Sequence, residues 1–265
     1  MHNFRDTLRQ APVSVWCLSY NYLNPLSHPP NSWFETRTAK RAKHDTILIM
    51  KINHKIVLDN IHLLIFESQL EITSTFLRFQ EYYESPKFKN KIFSLEEFKD
   101  WYIKDSPNGK KTGKFTYYTD WSGFNIPNWV LKPFYDGKFD PLSTSEKKIL
   151  KLFKDAIGPF YIIAVYNESK NLKKILKHEI AHGLFSTNNE YKSEILSVLS
   201  NFDIEPIKNE LRLMSGYNES VLIDEVHAFC IDSNPSFKMR IPKELSARLS
   251  EIYDRYVGDL EDLIK

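Results

Sequence analysis

The chain has 265 residues, enough for one sizeable domain, and its 42% hydrophobic and 26% charged residues are typical of a folded globular protein. Lysine and arginine number 36 against 34 acidic residues, so the formal charge of +2 gives no electrostatic reason to expect nucleic acid as a partner. The 2 cysteines, Cys17 and Cys230, lie far apart in sequence and exclude both a disulfide framework and a cysteine-rich zinc module.

The longest apolar runs, at residues 61–66 and 160–166, are far shorter than the roughly 20 residues of a membrane-spanning helix. No membrane span is therefore predicted. The first residues are charged and no apolar stretch of secretory length follows them, so we expect no signal peptide and a cytoplasmic location.

Residues 1–49 differ in composition from the rest of the chain. They hold four of the nine arginines and four prolines, with little hydrophobic periodicity. We predict a poorly ordered or atypical N-terminal extension there, followed by a single folded domain over residues 50–265.

The first part of that domain, residues 50–142, has a mixed α/β pattern. Runs of β-branched and aromatic residues at 55–66 and 114–121 favour strands. Between them, Ser94 opens a predicted helix through a capping box. Residues 119–142 are rich in Gly, Pro, Asn and aromatic residues, which predicts a long loop packed by its own aromatic side chains.

The second part, residues 143–265, is predicted to be mainly helical. A capping box at Ser143 opens its first helix, and a Gly-Pro pair ends that helix before a buried strand over 160–166. Apolar periodicity then predicts five helices, near residues 169–186, 190–200, 204–214, 219–231 and 242–257. We therefore expect an α+β fold, in which the first of these five helices lies next to a short sheet.

The sequence His178-Glu179-Ile-Ala-His182 lies within the helical pattern near residues 169–186. Residues four apart on a helix lie one turn apart, so the two imidazoles can reach one zinc ion at about 2.0–2.1 Å. Glu179 is then placed to take a proton from a zinc-bound water and pass it to a leaving amine. The pattern predicts His178 and His182 as metal ligands and Glu179 as the catalytic base. The competing interpretation is a chance match on an ordinary helix.

A catalytic zinc site takes three protein ligands, and two glutamates are candidates for the third. Glu225 stands in the middle of an apolar helix face, where a carboxylate needs a partner such as a metal ion. Glu190 is the rival third ligand, eight residues after His182, but its position also suits a first-turn acid that interacts with the helix dipole. We favour Glu225.

Three further residues near Glu225 are candidates for supporting roles. Asp224 and His227 are placed to orient the ligands through hydrogen bonds, although His227 also suits an ordinary helix position. Tyr217 lies on a turn before Glu225, where its hydroxyl could reach over the zinc and stabilise an oxyanion. A surface tyrosine on a turn is the alternative.

These residues resemble the gluzincin branch of the zincin metallopeptidases, which combines an HExxH helix with a glutamate from a later helix. Glu225-Val-His-Ala is similar to the ligand context of that branch, and a tyrosine shortly before the ligand is similar to lethal-factor-like bacterial toxin peptidases. The resemblance covers roughly residues 160–230 and implies an oxyanion role for Tyr217. It also implies that the strand before the motif helix, residues 161–166, binds an extended peptide along its edge. The Gly and His spacing of the metzincins is missing after His182.

The leading hypothesis is a zinc metallopeptidase with a zincin-like catalytic domain over 50–265 that hydrolyses peptide or protein substrates. An alternative is a zinc-containing binding or regulatory protein without turnover, in which residues 119–142 fill the cleft. A third hypothesis is a helical interaction protein without metal, in which Lys174 or Arg212 pairs with Glu225.

Overall fold

The computed structural model describes residues 50–58, 60–169, 171–215, 218–232 and 241–260. The predicted N-terminal extension over 1–49 and the candidate catalytic residue Tyr217 lie outside these residues. In chain order the elements are β1 (Ile52–Leu58), β2 (Ile61–Phe66), α1 (Gln69–Glu84), α2 (Leu95–Asp105), α3 (Pro107–Thr112), α4 (Tyr117–Asp120), β3 (Gly123–Pro127), α5 (Lys132–Tyr135), α6 (Thr144–Phe153), β4 (Tyr161–Tyr166), α7 (Leu172–Thr187), α8 (Asn189–Leu199), α9 (Glu205–Ser215), α10 (Leu222–Asp232) and α11 (Lys243–Val257). Short 3-10 helices at Asn128–Leu131 and Glu219–Val221 precede α5 and α10.

Four strands form one mixed sheet in the order β1-β2-β4-β3. β1 and β2 make an antiparallel hairpin, β4 runs parallel to β2, and β3 runs antiparallel to β4. Three of the four strands precede α6, and only helices follow β4 in the described part of the chain. The fold is α+β, as predicted, with a motif helix next to a short sheet.

The sheet separates two hydrophobic cores because successive side chains of a strand point to opposite faces. On β4, Tyr161 and Ile163 join the core formed with the helices from α7 onward, whereas Ile162 and Ala164 join the core formed with α1 and the aromatic segments. Asn125 of β3 is the cross-strand partner of Ile163. Because paired residues share a face of the sheet, β3 turns the Asn125 side chain towards α7.

Helix positions agree closely with the sequence pattern at α2, at α6 and from α7 to α11. Ser94 and Ser143 each accept a hydrogen bond from the backbone N–H three residues later, so both act as N-caps, and the full predicted capping box is present at Ser143. The five predicted helices of the C-terminal part correspond to α7, α8, α9, α10 and α11. Local capping and apolar periodicity are sufficient to predict these helices because each of them buries one face.

The predicted strand over 114–121 is wrong. That segment contains the short helix α4, and its aromatic side chains pack in a core instead of on a pleated surface. The ring centroids of Phe115 and Tyr117 lie 6.2 and 5.3 Å from that of Phe98. Aromatic enrichment therefore reflects core packing here, which composition alone does not distinguish from a strand.

The predicted long loop over 119–142 is also wrong. The segment contains β3, a 3-10 helix and α5, and every residue of β3 is buried. Gly, Asn and Pro weaken the strand signal in the sequence, but pairing with β4 decides the conformation. Pro127 is tolerated because it stands at the end of an edge strand.

The implied role of β4 as a peptide-binding edge is wrong as well. β2 pairs with one side of β4 and β3 with the other, so no edge of β4 is free. The neighbouring edge strand is β3, and there the Asn125 N–H donates to Gln80 Oε1 of α1 at 3.3 Å. Helix α1 thus covers part of the edge that lies closest to the motif helix.

No helix in the described part of the chain combines the length and the apolar character that crossing a membrane requires.

A buried ion pair ties α1 to α6. The Arg78 guanidinium donates to both carboxylate oxygens of Glu146, at 2.7 and 2.6 Å, and also to the carbonyl oxygens of Phe139 and Pro141. The two side chains are only 12% and 4% exposed. Glu146 also accepts from the Ser143 N–H at the start of α6, so the pair joins a helix cap to the neighbouring core.

We expect Arg78→Ala to lower the free energy of unfolding by about 3–5 kcal/mol, because it leaves the buried Glu146 carboxylate without its counter-ion. Urea unfolding followed by circular dichroism measures the change. Arg248→Ala is the control, since Arg248 makes an exposed pair with Glu244 and its loss should cost at most about 0.5 kcal/mol. Equal effects for the two variants would contradict the assignment.

Two histidines face each other across the β1–β2 hairpin. His54 Nε2 lies 2.9 Å from His62 Nδ1, and the His62 ring contacts Phe153 and Phe160 edge-on. Burial lowers the pKa of His54, and burial together with the neighbouring His54 lowers the pKa of His62. Protonation of this pair is therefore disfavoured in the folded state.

This pair should weaken the fold in mild acid. Because the folded pKa values lie below the ordinary value of 6.5, the unfolded state binds more protons, and stability falls as the pH drops below that value. We expect His54→Gln to reduce the difference between the urea midpoints measured at about pH 7 and at about pH 5, which lie on either side of the ordinary histidine pKa. An unchanged pH dependence in this variant would refute the role of the pair.

Candidate metal centre

Helix α7 holds the motif in the core through its apolar face. The side chains of Ile175, Leu176 and Ile180 are at most 1% exposed and pack in the core between the sheet and the C-terminal helices. The same burial leaves His178 and His182 only 3% exposed. The packing of α7 against the sheet and against α10 therefore fixes where both imidazoles lie.

Three side chains converge between α7 and α10, namely His178, His182 and Glu225. The two Nε2 atoms are 3.1 Å apart, and the Glu225 carboxylate oxygens lie 3.9 Å from Nε2 of His178 and 3.8 Å from Nε2 of His182. Two nitrogens bound to one tetrahedral metal at about 2.0–2.1 Å are about 3.4 Å apart. The observed triangle can hold one metal ion after shifts of roughly half an ångström.

Each imidazole has a carboxylate on its other nitrogen. His178 Nδ1 lies 3.2 Å from Asp232 Oδ2, and His182 Nδ1 lies 2.9 Å from Asp224 Oδ1. A carboxylate only accepts, so each Nδ1 carries a proton and each Nε2 turns towards the other. At 3.1 Å the two Nε2 atoms either share one proton in a hydrogen bond or present two lone pairs that a cation can bind. Carboxylates on the outer nitrogens are the usual support of metal-binding histidines.

The titratable groups of the centre are buried, and burial and neighbouring charges shift their pKa values. Burial raises the pKa of Glu225 well above its ordinary value, even though His182 acts in the opposite sense. Burial also raises the pKa of the neighbouring Glu84 to about 7. Burial disfavours protonation of His182, but Asp224 and Glu225 outweigh it and raise the pKa of the imidazole well above its ordinary value. Burial is thus the main cause for the two carboxyl groups and the neighbouring carboxylates are the cause for His182, and a divalent cation would favour the ionised carboxylates and the neutral imidazole.

Two buried carboxylate oxygens in this region have no hydrogen-bond partner among the described residues, Glu179 Oε1 and Glu225 Oε2. An unpaired buried carboxylate oxygen is costly, so native proteins rarely leave one without a ligand. A metal ion on Glu225 and a water molecule on Glu179 would satisfy both atoms. The residues present therefore fit a metal centre by their geometry and by their unmet polar atoms.

Other residues that the sequence suggests as a ligand, an ion-pair partner or a supporting residue lie outside the cluster of three side chains. Glu190 is exposed in the first turn of α8, as expected for an acid that interacts with the helix dipole, and it is not part of the cluster. Arg212 pairs with Glu205 and Glu219 on the surface, so its ion pairs do not involve Glu225. His227 forms a hydrogen bond through Nε2 with the Tyr191 hydroxyl at 2.7 Å.

Asp224 links His182 to His227. It lies 2.9 Å from His182 Nδ1 and 3.3 Å from His227 Nδ1. Burial opposes its ionisation, but the charge and hydrogen bond of His182 prevail and hold the pKa of this carboxyl below its ordinary value. The predicted supporting role of Asp224 is thus present in the contacts, and His227 acts one step further from the centre.

Sequence reasoning missed Asp232, Asn125 and Glu84. Asp232 lies about two helical turns beyond Glu225 on α10, so helical periodicity could have indicated it as a second carboxylate on the same side. Asn125 and Glu84 come from β3 and α1, and no local spacing relates them to the motif. Tertiary packing alone brings these two residues to the centre.

Comparison of the chain with protein-family models, with curated proteins and with solved structures gave no match. The resemblance to gluzincins consequently depends on the motif residues and on the local geometry of the centre.

We expect the protein to bind one divalent metal ion per chain and Glu225→Gln to weaken binding of zinc by about 100-fold or more, because it removes a charged ligand. Elemental analysis after dialysis against zinc buffers of fixed free concentration measures the change. Glu190→Gln is the matched control, since it is the same substitution at the exposed rival position. Equal zinc binding by the Glu225 and Glu190 variants would rule out Glu225 as a ligand.

Proposed function

We propose that this protein is a zinc-dependent metallopeptidase that hydrolyses peptide bonds. Two imidazoles and one carboxylate form the donor set, which suits zinc better than magnesium or calcium, since those ions prefer all-oxygen sites. Three protein ligands also leave a fourth position for water or substrate, as catalytic zinc sites require.

The observation that carries this proposal is the state of Glu179. Its carboxylate is fully buried next to the ligand set, yet one of its two oxygens has no hydrogen-bond partner among the described residues. A structural glutamate would be expected to have both oxygens satisfied. A base that awaits a water molecule has this arrangement.

When bound, zinc would act as a Lewis acid on the scissile carbonyl and lower the pKa of a water molecule at the centre. Glu179 then accepts the proton of the attacking water at Oε1 and delivers it to the leaving amine, so that the carboxylate is restored. Asp224 and Asp232 keep His182 and His178 in the tautomer that presents Nε2. An oxyanion role for Tyr217 stays a prediction from the sequence.

One observation favours a second candidate, a zinc-containing binding or regulatory protein without turnover. The three ligands are only 3–4% exposed, and α1 covers part of the nearest sheet edge. A structural zinc site is closed in this way, whereas a peptidase needs access for its substrate. Measurement of turnover distinguishes the two candidates.

The Glu179→Gln variant should still bind zinc but should no longer hydrolyse peptides, because the glutamine amide is nearly isosteric with the carboxylate and cannot accept a proton. We expect kcat to fall by about 10²–10⁴-fold on a quenched fluorescent peptide library, with zinc content equal to that of the wild type. Glu190→Gln should match the wild type in both measurements. Cleavage of the library by Glu179→Gln at the wild-type rate would exclude the general base, and absence of cleavage by zinc-loaded wild type would favour the second candidate.

A further inference from the structure

Strand β3 packs against the Glu179 carboxylate through two of its residues, Gly123 and Asn125. Residues 123 and 125 are two apart on a strand, so they share the face that turns towards α7. Asn125 Nδ2 donates to Glu179 Oε2 at 2.5 Å. A Cβ atom at Gly123 would lie 3.1 Å from Glu179 Oε1 and 2.8 Å from the Ile175 side chain, so only glycine leaves space for the helix and the carboxylate at this point.

The orientation of the Asn125 amide is determined by its two neighbours. The Tyr161 hydroxyl of β4 donates to Asn125 Oδ1 at 2.5 Å. Burial, and then the charge of Tyr83, raises the pKa of this phenol well above its ordinary value, so the hydroxyl keeps its proton. With Oδ1 engaged by a donor, the amide presents Nδ2 to Glu179, which offers only acceptors. Tyr161 therefore prevents the amide from rotating by half a turn.

The backbone of Asn125 is held as well. Its N–H donates to Gln80 Oε1 of α1 at 3.3 Å, and Gln80 in turn donates to Glu84 Oε2 at 2.7 Å. Asn125 thus has a partner for its backbone N–H and for both ends of its side chain. All of these groups are buried, so a change in any of them is not compensated by solvent.

The two Glu179 oxygens consequently have different environments. Oε2 is engaged by the Asn125 amide, whereas Oε1 lies beside Gly123 and has no hydrogen-bond partner among the described residues. A hydrogen bond from a rigid donor fixes the carboxylate rotamer and leaves one oxygen for proton transfer. The glutamate of the motif thus depends on a strand that lies more than fifty residues earlier in the chain.

We propose that Asn125, locked by Tyr161, is a positioning residue that holds Glu179 Oε2 so that Oε1 serves as the proton-accepting oxygen. This inference rests on the proposed hydrolytic function, because it assigns a role within that reaction. Asn125 touches Glu179 and not the reacting atoms, so it acts through Glu179.

Asn125→Asp tests the proposal because it keeps the size of the side chain and replaces the donor by an acceptor. Two carboxylates at this distance share one proton, which impairs Glu179 as a base. We expect kcat to fall by about 10–100-fold on the peptide that the wild type cleaves best in a quenched fluorescent library, with KM within about threefold and unchanged zinc content. The acid limb of the kcat profile should also shift to higher pH.

Asn128→Asp is the matched control. Asn128 follows three residues later and donates from Nδ2 to the Gly158 carbonyl oxygen at 3.0 Å at an exposed position. The control should keep the kcat, the KM and the pH profile of the wild type. Tyr161→Phe is the second variant if Asn125→Asp does not fold, and it should lower kcat in the same sense, with zinc retained, because the amide is no longer locked.

The outcomes separate the inference from the function on which it rests. Wild type that binds zinc but cleaves no peptide of the library overturns the proposed function and the inference with it. If the wild type is active and both Asn125→Asp and Tyr161→Phe have the same kcat as the wild type, the inference is overturned and the proposed function is not. Loss of zinc in Asn125→Asp also overturns it, since the residue would then support the ligands and not Glu179.

Discussion

The packing of α7 against α10 removes several charged side chains from water at once. Helix packing places two imidazoles and one carboxylate where water cannot solvate them, and further carboxylates surround them. Such a group of charges is unfavourable in isolation and becomes favourable only with hydrogen bonds and a cation. Asp224 and Asp232 satisfy the outer nitrogens of the histidines, and the inner atoms of the cluster are left for a metal ion.

The motif helix is supported differently on its two sides. On the side of α10 it meets charged groups that suit a cation, whereas on the side of β3 it meets a glycine and an amide that suit the glutamate. The two candidate histidine ligands and the proposed base are neighbours in sequence, but they are held by separate parts of the fold. A variant of β3 should therefore disturb proton transfer without disturbing metal binding, while a variant of α10 should do the reverse.

Sequence reasoning succeeded where local rules decide the structure. Caps at Ser94 and Ser143 and the apolar periodicity of α7 to α11 indicated the helices, and a carboxylate in an apolar helix face indicated Glu225. It failed between residues 114 and 142 for two reasons. The aromatic residues of 114–121 pack in a core around a short helix, and pairing with β4 overrides the weak strand preference of Gly, Asn and Pro in β3. Asn125 was missed for the second reason. Its role depends on a strand pairing that no spacing in the sequence reveals.

The position of β4 in the sheet has a consequence for how the chain can be divided. β4 lies between β2 and β3, although both of these strands precede it by dozens of residues. A fragment that starts at α6 would contain β4 with both of its edges bare, together with the full set of ligands on α7 and α10. The unpaired edges of an apolar strand can form backbone hydrogen bonds with strands of other chains. Production of the helical half alone would thus yield a fragment prone to self-association through β4, because β2 and β3 cover both edges of this strand in the sheet.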